Sequence, residues 1–122
     1  SIEEKLGGNA VEEELRARQK EVMPAYKAAA ESPDLAKRVE AIARLRDQEG
    51  YMAEARKTGK NQFEILEHNC PIYEVAEQYA EACAVERDMF RKVLKANVET
   101  THRVVAGAHV CRFLVPPKEA RQ

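Results

Sequence analysis

The chain has 122 residues, 44% hydrophobic and 34% charged, with 20 basic against 21 acidic residues and a net charge of -1. That is one globular domain with a well-solvated surface, not a disordered tail. The balanced charge excludes the strongly basic footprint of a free-standing nucleic-acid binder. No apolar run approaches the ~20 residues of a membrane helix, and the polar start "SIEEKLGGNA" is unlike a secretory signal, so the expected compartment is the cytoplasm.

Residues 1–10 carry Gly7 and Gly8 with few apolar groups and read as a linker. From Val11 the pattern becomes helical: Val11, Leu15, Val22 and Tyr26 recur on one stripe. Pro24 falls inside it and is expected to kink the helix or to open a new one. Two uses of the stripe compete, pairing with a second copy of the chain or packing back on the domain's own sheet. Residues 1–31 are therefore assigned to a linker and an N-terminal, dimerising helix.

Residues 32–117 are assigned to the main domain and 118–122 to a tail. "SPDLAKRVEAIARLRDQEG" predicts a helix started by Ser32 or Asp34, with Leu35, Val39, Ile42 and Leu45 on one face and Gly50 at its end. "YMAEARKTGKNQFEILEHN" predicts two short strands around a Gly- and Asn-containing turn. Phe63, Ile65 and Glu67 share one face there, and Leu66 takes the other. Pro71 suits a first helical residue, and Asn69 suits the cap before it. One long helix or two shorter ones, broken near Cys83, then carry Ile72, Val75, Ala76 and Tyr79, followed by Val85, Met89, Phe90, Val93 and Leu94. The segment "NVETTHRVVAGAHVCRFLV" predicts a last hairpin turning near Ala106–Ala108, stopped by Pro116 and Pro117. Helix, helix, hairpin, one or two helices, hairpin implies an α+β domain: an antiparallel sheet of two hairpins with helices on one face.

The cysteines are Cys70, Cys83 and Cys111. No CxxC pair exists, which excludes a zinc ribbon or a ferredoxin run. The spacing alone leaves two readings open: three small buried hydrophobes, or ligands of one metal site. His68, two residues before Cys70, would share its face if the chain is extended and is the non-cysteine candidate ligand. A histidine that only supports Cys70 by hydrogen bonding is the competing and preferred reading. His109 stands in the same relation to Cys111, with an exposed position preferred, and His102 reads as structural.

The stretches "GYMAE", "EHNCPI", "VAEQYAEACAVERDMF" and "VETTHRVVAGAHVCRFLV" resemble the C-terminal sensor domain of SufR-type iron–sulfur repressors, winged-helix transcription factors that regulate cluster-assembly genes. The likeness runs from about Leu35 to Val115. It implies an iron–sulfur cluster, [4Fe–4S], held by Cys70, Cys83 and Cys111, with one iron left for another donor or for solvent. It further implies a homodimer that reads a DNA operator through a winged-helix domain, and release of DNA when the cluster is lost. That winged helix has no counterpart here, so the chain is expected to be a fragment or a free-standing sensor domain. Pro71 also departs from the family pattern, in which a smaller residue follows the first cysteine. An alternative within the same fold is a regulatory module holding zinc or a small effector. No nucleophile–base pair, phosphate loop or HExxH helix is present, and no enzymatic activity is expected.

Overall fold

The computed structural model describes residues 2–117, with side chains from Gly7 onward; the expected tail lies outside the described residues. Helix α1 spans Ile2–Ala29 and α2 spans Leu35–Arg46. A single π-helical turn, Asp47–Tyr51, leads into strand β1, Ala53–Gly59, and β2 follows at Gln62–Glu67. After α3, Tyr73–Gln78, and α4, Glu81–Leu94, come β3, Glu99–His102, a 3-10 turn, Val104–Ala106, and β4, Cys111–Val115. The four strands form one antiparallel sheet in the order β1-β2-β4-β3. The chain is thus α+β, as its pattern predicts, and the second hairpin docks β4 against β2 in the middle of the sheet.

The helix-facing side of the sheet follows from the register. Phe63 pairs with Val115, Ile65 with Phe113 and Glu67 with Cys111. Side chains alternate along a strand, so these three pairs share one face. Phe63, Ile65, Phe113 and Val115 join Val39, Ile42, Phe90, Val93 and Leu94 in the core. Phe90 meets Phe113 edge to face, with ring centres 4.5 Å apart. Fully burying each large apolar side chain contributes about 1.5–3 kcal/mol, and with Trp absent this aliphatic and Phe layer is the main support of the fold. The opposite face carries Glu54, Glu64 and Arg112, the last two joined as an ion pair.

Several local expectations change. Residues 2–10 are not a linker but the first turns of α1. Their glycines serve contact rather than freedom: a Cβ on Gly8 would stand 3.0 Å from Glu81 Oε1, and one on Gly7 would stand 3.7 Å from the Tyr79 hydroxyl. Helix α1 also runs unbroken through Pro24, which is exposed there. Its packing partner is α4, with α2 beside it, rather than the sheet. Gln19 Nε2 donates to the Val85 carbonyl at 2.9 Å, Arg16 pairs with Asp88 at 3.3 Å, and Tyr26 is buried. From the predicted stripe only Val22 is left open, at 40% exposure. The break between α3 and α4 falls at Tyr79, whose backbone is extended, not at Cys83.

Asp34 caps α2 by accepting from the Ala36 N–H at 3.1 Å. Gly50 closes the π-helical turn at φ 97°, a backbone that an L side chain adopts only with strain. Met52 follows in the left-handed region as well, at φ 49°. This pair of positive φ values turns the chain sharply from α2 into β1. No helix is long and apolar enough to cross a membrane among the described residues.

Candidate metal centre

Cys70 sits in the loop between β2 and α3. That loop is pinned to the turn after α2: the His68 N–H donates to the Met52 carbonyl and the Asn69 N–H to the Tyr51 carbonyl, each at 3.2 Å. Asn69 was the expected cap of the next helix. Instead its side-chain Nδ2 donates to the Gly50 carbonyl at 2.8 Å, and α3 starts at Tyr73 with no side-chain cap. Pro71 accordingly lies in a turn ahead of the helix. Its ring packs 3.8 Å from where a Cβ on Gly50 would be, so the Cys70 loop rests on the Gly50 turn.

Cys83 lies in the first turn of α4, its N–H bonded to the Ala80 carbonyl at 3.2 Å. Cys111 opens β4 and stands opposite Glu67 of β2 on the helix-facing side. All three thiols are free and partly buried. The Val104 N–H donates to Cys111 Sγ at 3.3 Å, and the Ile72 N–H favours the thiolate of Cys70. Backbone N–H groups aimed at sulfur favour the thiolate and tune a sulfur-bound metal.

Burial pushes the Cys70 thiol up to about 11; the Glu86 carboxylate and the charges of Cys111 and Cys83 add to the rise, and the Ile72 N–H opposes it. Burial likewise raises Cys111, against its bond from Val104, with Glu67, Glu86 and Cys83 adding to the rise. The three cysteines therefore feel one another's charge although they come from a loop, a helix and a strand far apart in the sequence. Among the described residues no three His, Cys, Asp or Glu side chains gather around one metal-ion position. Four thiolates around one zinc would stand only about 3.8 Å apart, given Zn–S bonds of about 2.3 Å. A four-iron core offers each sulfur its own iron, so its ligands stand further apart. The donor set is three soft thiols, with a backbone N–H directed at the Cys111 sulfur.

His68 does not join the cysteines. The extended chain that would align it with Cys70 ends at Glu67, and its Nε2 lies 3.8 Å from Glu54 Oε2 with a side chain 44% exposed. Glu67 faces the helices and His68 turns the other way. His109 lies in the bend before β4 and is exposed. His102 ends β3 with Nδ1 2.9 Å from the Thr101 hydroxyl.

The residue that reading by pattern missed is Arg46. It is buried, and its guanidinium holds Glu67 through two bonds of 2.7 and 2.8 Å. It also reaches Glu86 at 3.2 Å and stacks on the Tyr51 ring at 3.4 Å from its centre. The Tyr51 hydroxyl donates to Glu86 at 3.0 Å. Burial disfavours the charged guanidinium, but the hydrogen bonds and charges of Glu67 and Glu86 outweigh it and keep Arg46 cationic. Glu67 is the cross-strand neighbour of Cys111, and Glu86 lies three residues after Cys83 on the same helix. Arg46 thus ties β2, the strand beside Cys111, to α4, the helix that carries Cys83. The sequence signal was weak: an arginine near the apolar stripe of α2, seven residues after Val39.

Beyond this network a cavity of about 290 Å³ opens between α1 and α4, its walls including Leu15, Val22, Tyr51, Ile72, Val85 and Met89. No protein-family profile, curated protein or solved structure matches this chain.

Proposed function

We propose that this domain is an iron–sulfur cluster-binding sensor unit of a transcription regulator, with Cys70, Cys83 and Cys111 as its thiolate ligands. The observation that supports the reading is the buried Arg46 network, which joins Glu67, opposite Cys111, to Glu86, one turn after Cys83, while the Val104 N–H donates to Cys111 Sγ at 3.3 Å. The motif resemblance set out above supplies the cluster type, [4Fe–4S], and the regulatory context. In that context the protein is a cytoplasmic homodimer, DNA is bound by a winged-helix segment outside this sequence, and cluster-assembly genes are the target. No catalytic role is assigned to any residue.

When bound, the cluster supplies a redox- and oxygen-sensitive core. The chain's part is to hold it. Cys70 fixes the loop between β2 and α3, Cys83 the start of α4, and Cys111 the edge where β4 meets the 3-10 turn. Coordination replaces three thiol protons, so uptake releases protons to solvent. The Val104 N–H keeps the Cys111 sulfur oriented as its proton leaves. Gathering these three segments is a local ordering event that α4 transmits to α1, the helix packed along it.

Reconstitution without oxygen tests the reading. Wild-type protein is expected to turn brown and to carry iron and sulfide, and Cys83→Ser to lose both. A Cys83→Ser variant with wild-type iron and sulfide removes Cys83 from the ligand set. A second reading, a small apolar effector in the regulatory module, is favoured by the 290 Å³ cavity with its Tyr51, Arg46 and Glu86 end. A colourless reconstituted protein would direct attention there, and one retaining a zinc per chain would favour the zinc form of that alternative.

A further inference from the structure

The cavity of about 290 Å³ between α1 and α4 joins two unlike kinds of wall. Leu15, Val22, Ile72, Val85 and Met89 are apolar, and Val22, 40% exposed, leaves the space reachable from solvent. Tyr26, Arg46, Glu49, Tyr51 and Glu86 supply the polar part. An apolar wall with a few converging polar groups is the usual make-up of a ligand site, and the volume lies at the small end of their range of about 300–1,000 Å³.

The hydrogen bonds of the polar part narrow what it takes. The Tyr51 hydroxyl donates to Glu86 at 3.0 Å, and the Tyr26 hydroxyl donates to Glu49. Burial and these carboxylates hold both phenols far above their ordinary range, so their protons stay committed. Arg46 directs its Nε and Nη2 donors at Glu67 and Glu86. Gln19, also on the wall, gives its Nε2 to the Val85 carbonyl at 2.9 Å. What remains for a ligand is mainly oxygen lone pairs. The charges point the same way. Glu49, Glu67 and Glu86 outnumber the one guanidinium among them; burial raises the Glu67 carboxyl, Arg46 opposes the rise, and Glu86 and Glu49 add to it. Arg18 lines the space too, but its side chain is 73% exposed and paired with Glu14 at 3.1 Å. A bare metal ion does not suit so apolar a space, and no three metal-ligating side chains gather among the described residues.

We infer that this cavity binds an organic ammonium ion, with its apolar body against α1 and α4 and its N–H groups on Glu49 and Glu86. The inference rests on the small-effector reading above and narrows it to one charge class. No cysteine lines the cavity, so the site is separate from the proposed cluster ligands. An ammonium brings both the donors and the positive charge that the polar part lacks, and charge-assisted bonds to carboxylates are the stronger kind. Once seated it bridges α1, α4 and the turn before β1, which carries Glu49 and Tyr51.

Three probes that share a phenylalkyl body and differ at one end test this: phenethylammonium, 3-phenylpropanoate and 3-phenyl-1-propanol. Their binding to the whole metal-free chain would be measured by calorimetry and by the shift in Tm. Phenethylammonium is expected to raise the Tm and to bind roughly tenfold more tightly than the alcohol, with the carboxylate weakest. Glu49→Gln still accepts from Tyr26 but carries no charge. It is expected to remove most of that preference while leaving the affinity for the alcohol unchanged. Val22→Lys sets a competing cation at an exposed wall position, where the fold is spared, and is expected to weaken ammonium binding several-fold. Equal binding of the ammonium and the alcohol overturns the charge class while leaving a small apolar effector in the cavity. Tighter binding of the carboxylate, no binding of any probe, or ammonium binding that both variants leave unchanged overturns the inference outright. Iron and sulfide uptake is decided separately by the reconstitution above, so the cluster reading and this inference fail independently.

Discussion

Cys70 holds its proton well above the ordinary thiol range because its sulfur is partly buried beside the Glu86 carboxylate. The sign of the consequence is fixed. A thiol with a raised folded-state value stabilises the metal-free fold fully below its ordinary value of 9.0, and that contribution is lost as pH rises toward about 11. The Tm of the metal-free wild type is expected to fall across that window, and Cys70→Ser, which has no such proton, to show a shallower fall. Equal slopes in the two proteins would contradict the burial of this thiol. The types and positions of the three cysteines were legible in the sequence; the register that sets Cys111 opposite Glu67 was not, because it depends on how β4 docks beside β2. His68 stands off the expected face for a specific reason. The alternation argument assumed an extended chain through Cys70, but the bonds from residues 68 and 69 back to the Gly50 turn end the strand at Glu67.

Among the elements, α1 and α2 show where pattern reading succeeds and where it stops. The stripe of α2 and its Asp34 cap were visible because spacing and capping chemistry are local. The continuity of α1 was hidden because glycine pairs and an internal proline usually mark breaks. Here Gly7 and Gly8 let the helix lie close to the α3–α4 junction, and contacts along α4 hold it through Pro24. Pro24 still lacks an N–H and crowds the preceding turn. Pro24→Ala is expected to stabilise the metal-free fold by about 2 kcal/mol, the helix-interior penalty less the gain in unfolded-chain freedom, read from urea unfolding. Arg46 is the opposite case. Arg46→Leu leaves Glu67, whose side chain is 3% exposed, and Glu86 without their cation, and is expected to cost roughly 3–5 kcal/mol in the same assay. Adding Glu67→Leu should recover part of that loss, since a buried pair replaced by apolar side chains is tolerated better than a half-pair. A loss no greater in Arg46→Leu than in a surface substitution would show that the network does not bind α2, β2 and α4 together.

For the whole molecule, the three proposed ligands divide the chain unevenly. The core of Ile42, Ile65, Phe90, Leu94, Phe113 and Val115 lies between α2, α4 and the middle of the sheet and needs no metal to be buried. The cysteine segments are a loop, a first helical turn and a strand start, held by turn bonds such as those from the Asn69 N–H to the Tyr51 carbonyl and from the Cys83 N–H to the Ala80 carbonyl. Such segments open locally at far lower free energy than a central strand. A ligand that binds only the closed arrangement stabilises it by mass action, about 2.7 kcal/mol when its concentration is 100 times its dissociation constant. Amide hydrogen exchange locates that gain. Cluster-loaded protein is expected to gain protection over 68–83 and 103–111, with little change at Phe63–Leu66 or Val39–Ala43. Protection spread evenly over the chain would mean that the metal stabilises only global unfolding. Protection confined to the residues near Pro33 and Pro116 would place the ligand elsewhere in the molecule.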